Sequence, residues 1–580
     1  MKRLLVAVTV AGLVVLTGCT GVPASSQPQV LKSVNLNRPS AATAITPTPG
    51  ANAREIVQEF LSANVSQDKR YSAARAFLTP AAKNRWTDTT VTIVNTLQIG
   101  NFDVADSTVT VRGGTVGTVS ATGVYAPVLQ GEGAGGPILP FGFVMKQIGG
   151  QWRIDGLPPG LLLDEADFQQ IYQQHSLYYY DLTGTHLVPD PRYTALADPA
   201  ALASWLVQQL VSGPGPELQN VVSSDIPAQT DPRRVSLTMG QVTQIEIPGA
   251  SQLDAGTLNH LAAQVAVTLG EVDGGQSLTI TDNGRAVRIP QVGGVGFTES
   301  MFQPARDPAQ PPPPVYYIRD AGRHGAVVNE QGTAVHGPLG TGQYDLTSVA
   351  LARGGGSDLY AAGTTGTPAD ERLLVGTQSH GLLPTAVHGP LTRPSWVPGM
   401  DEVWVGSGST IWRVSGAGTA TAVSVTPASG VVTGQVIALR ISPDGARIAV
   451  VLRGAANVAQ LWVGAVVRPI AGQVRIDNLE QISPQAIAIT DVAWYGAVKL
   501  FATGRSTVSG AGNVYEVQVD GSVWTARNII NLPDAPDSIT VAENAFAWVS
   551  AGGTIWEQAA GSWASPGGTY TYGSNPVYLE

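Results

Sequence analysis

The chain has 580 residues, enough for several domains with separate cores. With 43% apolar and 13% charged residues it reads as a folded, weakly charged protein, and its 67 Gly and 40 Pro suit turn-rich β structure. A net charge of −10 without any basic run argues against nucleic acid as a partner, and a single cysteine excludes internal disulfides and thiolate metal clusters.

The chain opens MKRLLVAVTVAGLVVLTGCTG: Lys2 and Arg3, an apolar run from Leu4 to Leu16, then Leu16-Thr17-Gly18-Cys19. The run is too short for a spanning helix, which needs about 20 residues, and fits the apolar region of a signal peptide. LTGC resembles a bacterial lipobox. That resemblance implies removal of residues 1–18 and modification of Cys19 by an S-diacylglycerol and an N-acyl chain, so that the membrane becomes a partner through a lipid anchor. Residues 19–50, rich in Pro, Ser, Thr and Ala, read as a flexible tether about 30 Å long on average and up to about 100 Å when stretched.

Residues 51–165 form a first α+β segment. Ile56, Val57, Phe60 and Leu61 recur at helical spacing, and YSAARAFLTPAAKNRW predicts a second helix interrupted near Pro80. The period then changes to two: VTIVNTLQI, STVTVRGGTVGTVSATGVY and FGFVMKQIGGQWRID read as strands. Phe141, Phe143 and Met145 share a face there, and Gly149-Gly150 makes a turn. Helices followed by a curved antiparallel sheet resemble the NTF2-like fold. The acids Asp164, Glu165 and Asp167 precede a predicted helix start, where they cap free amides rather than form a catalytic pair.

Residues 166–302 form a second α+β segment. Asp198, Pro199 and Gly213-Pro214 punctuate a helix whose apolar stripe is Leu202, Trp205, Leu206 and Leu210. A further helix places Leu258, Leu261, Ala262, Val265 and Leu269 on one side, with His260 at its boundary. Asn283-Gly284 predicts a tight hairpin turn. With the pieces HLVPDPRY and LVQQLVSGPGPEL, this segment resembles the GerMN domain.

Residues 303–314, QPARDPAQPPPP, read as a stiff linker. From 315 to 580 the chain is β throughout. WVPGMDEVWV from Trp396 and ISPDGARIAV from Ile441 align without a gap, and looser copies begin at Leu351, Trp494 and Val541, at spacings of 45, 45, 53 and 47 residues. Such a period predicts a β-propeller of five or six blades, closed when GSNPVYLE joins the blade begun by VYYIRDAG at Val315. The heptapeptide TAVHGPL, at 333–339 and again at 385–391, belongs to this repeat. Its histidines, His336 and His388, are read as rim residues of two blades rather than as ligands of one metal.

No HExxH, GxSxG or P-loop is present, and His175, His186, His324 and His380 show no ligand spacing. Catalytic, cofactor-binding and metal residues are therefore predicted as none, no cofactor is expected, and Cys19 is the one assigned site residue. The fold class is multi-domain: two α+β domains, NTF2-like and GerMN-like, before an all-β propeller. The leader, this domain order and the segments PSWVPG and LRISPDG resemble the actinobacterial LpqB lipoprotein family. The resemblance implies a non-enzymatic lipoprotein on the extracytoplasmic face of the cell membrane. Its partner would be the extracytoplasmic domain of an MtrB-like sensor histidine kinase of an MtrAB-like two-component system, with effects on envelope homeostasis and division. The alternatives are a binder of cell-envelope glycan or peptide, and a propeller hydrolase or quinone-type oxidoreductase.

Overall fold

The computed structural model describes residues 46–580, apart from 66–70, 130–137, 228–229, 303–312, 320–324, 355–357, 455, 471, 528, 560 and 567–570. The leader, Cys19, residues 20–45, most of the proline linker and His324 lie outside the described residues.

Helix α1 (Ala53–Asn64) starts with a reciprocal cap. Asn52 Oδ1 accepts from Glu55 N at 3.0 Å and the Glu55 carboxylate accepts from Asn52 N at 2.8 Å. Its stripe Ile56, Val57, Phe60 and Leu61 is buried. The expected interrupted helix is instead two short pieces, α2 (Ser72–Arg75) and α3 (Pro80–Arg85). Proline opens α3 rather than interrupting a longer helix, and Thr79 Oγ1 caps Ala82 N at 3.2 Å. Between the pieces the chain runs extended, and Phe77 and Thr79 bond to both sides of Ile154. That pairing overrides local helix preference.

Seven strands follow: β1 (Val91–Val94), β2 (Gln98–Asp103), β3 (Thr108–Val119), β4 (Tyr125–Pro127), β5 (Ile138–Ile148), β6 (Gln151–Gly156) and β7 (Leu161–Asp164). They form one sheet, β6-β5-β3-β1-β7, with β2 and β4 also on β3. The first half of β3 pairs with β2 and β5, the second with β1 and β4. The handover falls at Gly113-Gly114, where a Cβ on Gly113 would come within 2.7 Å of the Thr96 carbonyl. Phe143 and Met145 are buried on one face of β5, with Phe141 half-buried beside them. Helix α4 (Glu165–Ile171) is capped by Asp164, whose Oδ1 accepts from Asp167 N at 2.8 Å.

The second module pairs β8 (Gln173–Asp181) with β9 (Leu187–Thr194). Helix α5 (Pro199–Ser212) is capped by Asp198 at 2.9 Å and ends at Gly213, φ +96°. Strand Val242–Glu246 leads through α6 (Ala255–Asp273) into the parallel strand Ser277–Asp282, a βαβ crossover. The predicted stripe of α6 is buried, and the following turn has Asn283 and Gly284 at φ +53° and +72°.

The remainder is a ring of six blades. Blade 1 unites Val315–Arg319 and Ala326–Asn329 with Ser574–Tyr578, so the two ends of the propeller close one sheet. The strands of blade 2 lie within 346–389, of blade 3 within 395–427, of blade 4 within 435–481, of blade 5 within 487–527 and of blade 6 within 538–572. The outermost strands of blades 3 and 4 pair in parallel, merging these two blades into an eight-stranded sheet. Innermost strands touch their neighbours all round the ring, and each repeat start read from the sequence falls at the end of an innermost strand. Two of these, Trp396 and Trp494, donate their indole N–H to equivalent carbonyls of the preceding blade, Ala350 O at 3.2 Å and Arg440 O at 3.0 Å.

Candidate functional site

The propeller axis is closed by charge. Asp491, on the innermost strand of blade 5, accepts Arg393 Nη2 at 3.0 Å, Arg440 Nη2 at 3.1 Å and Ile539 N at 3.0 Å. Arg393 also donates to the carbonyls of Pro576 at 2.9 Å and Ile539 at 2.8 Å. One guanidinium from the entry to blade 3 thus reaches blades 5, 6 and 1. Burial and the adjacent Arg440 bring Arg393 down to about 10, against the pull of Asp491 and Glu580. Every polar partner here is engaged within the ring, so the cluster is a structural clamp. Beside it lies a cavity of about 270 Å³ walled by Trp396, Trp494, Tyr578, Glu543 and Glu580.

The second α+β module is seated on the propeller. Arg447, fully buried, places Nε 2.7 Å from Glu217 Oε1 and donates Nη2 to Pro189 O at 2.9 Å. Asn478 Nδ2 donates to Glu217 O at 2.9 Å. Ala446, Ala465 and Val467 of blade 4 complete the module's own apolar core. On the module side HLVPDPRY supplies the docking strand. Within it Asp190 and Arg192 form a buried pair at 2.5 Å, and Asp190 Oδ2 accepts Gly215 N at 2.7 Å. On the propeller side the turn Ser442-Pro443-Asp444-Gly445 presents Arg447. Tyr193 joins three parts of the chain. Its N–H donates to Gly123 O at 2.8 Å, its hydroxyl lies 2.5 Å from Ser522 Oγ of blade 5, and its ring packs 5.7 Å from Phe168 and 6.0 Å from Tyr125.

Away from these contacts the same two bodies diverge, leaving a cleft of about 840 Å³ between Tyr178, Pro189 and Glu299 on one wall and Asp444, Tyr495 and Glu543 on the other. It shares Pro443 and Glu543 with the axial cavity. A second opening, about 760 Å³, lies between the two α+β modules and is lined by Tyr71, Tyr172, Tyr193 and Trp205.

The histidines do not converge. His388 ends the outer strand of blade 2, exposed and 3.6 Å from Asp370, and His336 lies exposed near the outer edge of blade 1. His260 stacks on Tyr180 at 4.0 Å and faces Asp225 at 3.4 Å. His380 pairs with Asp358 and His186 with Asp181. Among the described residues no group of three His, Cys, Asp or Glu is placed to hold a metal, and no helix is long and apolar enough to cross a membrane. Cys19 lies outside the described residues. Sequence reasoning missed Arg393, Arg440, Asp491, Arg447, Glu217 and Tyr193. The available signal was charge in or just before the apolar inner strands: Arg393 and Asp491 both stand three residues before the tryptophan of their repeat.

This fold defines a propeller protein with an α+β module locked onto it. Residues 46–169 match the family described as Lipoprotein LpqB, N-terminal domain, 176–288 the family described as Sporulation and spore germination, and 325–578 the Lipoprotein LpqB beta-propeller domain. A lipoprotein LpqB of Rhodococcus jostii is 30% identical over 570 residues, 93% of this chain and 91% of that one. One from Mycolicibacterium smegmatis is 31% identical over 484 residues, 78% and 79% of the two chains. The chain belongs to the lipoprotein LpqB family. Among solved structures, TolB from Acinetobacter baumannii is a distant likeness, 11% identical with a TM-score of 0.30 over 46% of this chain and 66% of that one.

Proposed function

We propose that the protein is a non-enzymatic accessory lipoprotein of two-component signalling. Cys19 carries the lipid, residues 19–50 form the tether, and the folded part stands on the extracytoplasmic face of the cell membrane. There it binds the extracytoplasmic domain of an MtrB-like sensor histidine kinase and so bears on envelope homeostasis and division. Confinement to the kinase's own membrane raises the effective concentration of the two proteins. A ligand shifts a two-state kinase only by binding one state more tightly than the other, and a stiff bearing surface can discriminate in this way. What supports the reading is the seating of the module on the propeller through Arg447, Glu217 and Tyr193, which fixes the geometry of the cleft between them. The test is a pull-down with the kinase in membranes, combined with autophosphorylation measured with and without the lipoprotein. Binding with a changed phosphorylation level is expected, and absence of binding, or binding without that change, would defeat the reading.

A second reading, binding of envelope glycan, draws on the 760 Å³ opening, whose aromatic walls suit sugar faces. Retention of the purified protein on cell wall without any kinase would favour it.

A further inference from the structure

The sheet of the first α+β module ends on one side in two hairpin tips. Asp103 pairs with Thr108 across the β2–β3 turn, Ile148 with Gln151 across the β5–β6 turn, and Thr108 also pairs with Val144 of β5. Met145 N donates to Ser107 O at 2.8 Å, so the two tips lie side by side. Each carries an aliphatic side chain in solvent: Val104 is 79% exposed and Ile148 44%. Gly149 and Gly150, at φ +59° and +77°, make the second turn, and a Cβ on either would meet nothing within 4 Å. Just behind the tips, the half-buried rings of Phe102 and Trp152 pack 4.9 Å apart.

Two further observations bear on what these tips face. The first is where the chain arrives. Gly50 N donates to Gln151 Oε1 at 3.1 Å and Thr48 N to the Glu59 carboxylate at 3.0 Å. Residues 48–50 therefore lie against the β5–β6 tip, and the chain that follows Cys19 joins the module at this end. The second is charge. Two residues before Ile148, Lys146 stands directly opposite Arg153, and like charges so placed destabilise a strand pair unless an anion offsets them. Among the described residues neither has a carboxylate in ion-pair reach, and Arg153 Nη1 donates to the Trp152 carbonyl at 2.6 Å. Asp103 and Asp106 belong to the other tip, where Asp103 Oδ1 accepts from Ala105 N at 2.8 Å. Exposed aliphatic side chains also occur on the propeller, at Val431, Ile470 and Val508. The tips add to theirs an aromatic backing, an opposed pair of cations and the entry of the chain.

We propose that these two tips dock on a phospholipid surface. Val104 and Ile148 enter its apolar margin, Phe102 and Trp152 sit at headgroup depth, and Lys146 and Arg153 meet headgroup phosphates. Docking of this kind orients the folded part against the bilayer, a freedom that a flexible tether alone leaves open. Two aliphatic side chains bind weakly and reversibly, so the contact forms because an anchor holds the tips near the surface. The inference takes from the proposed function only the lipid anchor at Cys19. The test replaces that anchor, so that either can fail alone.

Residues 46–580 form one compact unit and contain no cysteine. They are held by an N-terminal histidine tag on vesicles of phosphatidylcholine and phosphatidylglycerol that include a nickel-chelating lipid. A polarity-sensitive fluorophore is attached in turn to the variants V104C, I148C and, on the propeller, V508C. Blue-shifted emission, quenched by spin-labelled lipid, is expected at positions 104 and 148 and not at 508. On vesicles without the nickel lipid, V104D/I148D should partition at least about tenfold less than the wild type, at an unchanged melting temperature. K146E should lose the preference for phosphatidylglycerol. Labels at 104 and 148 that stay in water on tethered vesicles, or a label at 508 that enters equally, would overturn the assignment. So would a blue shift that needs no vesicles and grows with protein concentration, the mark of contact between copies of the chain.

Discussion

Arg447 shows how one side chain can hold two domains. Its guanidinium is fully buried, and it satisfies a carboxylate and a carbonyl that both belong to the other body. Removing one member of a buried pair costs about 3–5 kcal/mol because the survivor keeps its desolvation without its partner. Glu217 retains about a third of its exposure, so Arg447→Ala should cost about 3 kcal/mol, read from the shift of the urea midpoint. Arg447→Lys, which lacks the planar fork, should fall between the two. A loss below about 1 kcal/mol, the worth of an exposed pair, would mean that the dock is held by apolar contact alone. Glu402 of blade 3 makes the matching case for pH. Burial by itself would raise its carboxyl, but Arg468, the Trp404 indole N–H and Arg413 outweigh burial and hold it below the ordinary value. A depressed folded value contributes stability above the unfolded value, about 4.3 for Glu, and loses it as pH falls through the folded one. The melting temperature of the wild type should therefore exceed that of Glu402→Gln near pH 7, with the gap closing on acidification to about pH 3. A gap that stays constant with pH would remove the charge from the explanation. None of these partnerships was legible in the sequence. Arg447 and Glu217 are 230 residues apart, Arg393 and Asp491 98, and nothing local to either residue names the other.

At the scale of strands and helices, legibility followed the range of the interactions. The stripe of α1, the capping of α4 and α5, the Asn283-Gly284 turn and the stripes of α5 and α6 depend on residues within a few positions of each other, and each is where local patterning puts it. The pieces flanking Phe77 escaped because pairing with Ile154, 76 or so residues on, decides their conformation. The propeller was readable for a different reason: its interactions are long-range but repeat, so a period stands in for the contacts. The same period carries a prediction. Trp396 and Trp494 occupy equivalent positions and make equivalent bonds to the preceding blade, with indoles 0% and 6% exposed. Trp494→Phe keeps an aromatic ring but leaves the buried Arg440 carbonyl without that donor, a loss of about 1–3 kcal/mol. Trp396→Phe should cost the same within about 1 kcal/mol, since the bond it loses is the same bond two blades earlier. Thermal melts of the two single variants and the double test this. A much smaller loss for one of them would show that the blades are not joined by a common device.

For the molecule as a whole, the seating of one module on the propeller turns modules that could act separately into a single bearing surface. That seating was hidden from the sequence in an instructive way: HLVPDPRY and the SPDG turn were each recognisable as motifs, yet only the folded chain brings Pro189 O to Arg447. Surface of this kind acts on a neighbour only if it is kept near it. An unanchored copy at bulk concentration meets a membrane protein rarely, whereas on the proposed reading a tether of about 30 residues would confine the folded part to within about 100 Å of the bilayer. Two acyl chains are needed for stable anchoring, since each buried methylene contributes about 0.8 kcal/mol and one chain binds reversibly. Cys19 is the single thiol available for that attachment. Cys19→Ala should therefore move the protein from the membrane fraction to the soluble fraction, or stall it with its leader uncleaved. On the proposed kinase reading, any effect on kinase phosphorylation should fall in step, while the melting temperature of residues 46–580 stays unchanged. Full membrane retention of the alanine variant, with a cleaved leader and undiminished output, would show that something other than a lipid on Cys19 holds the protein at the envelope.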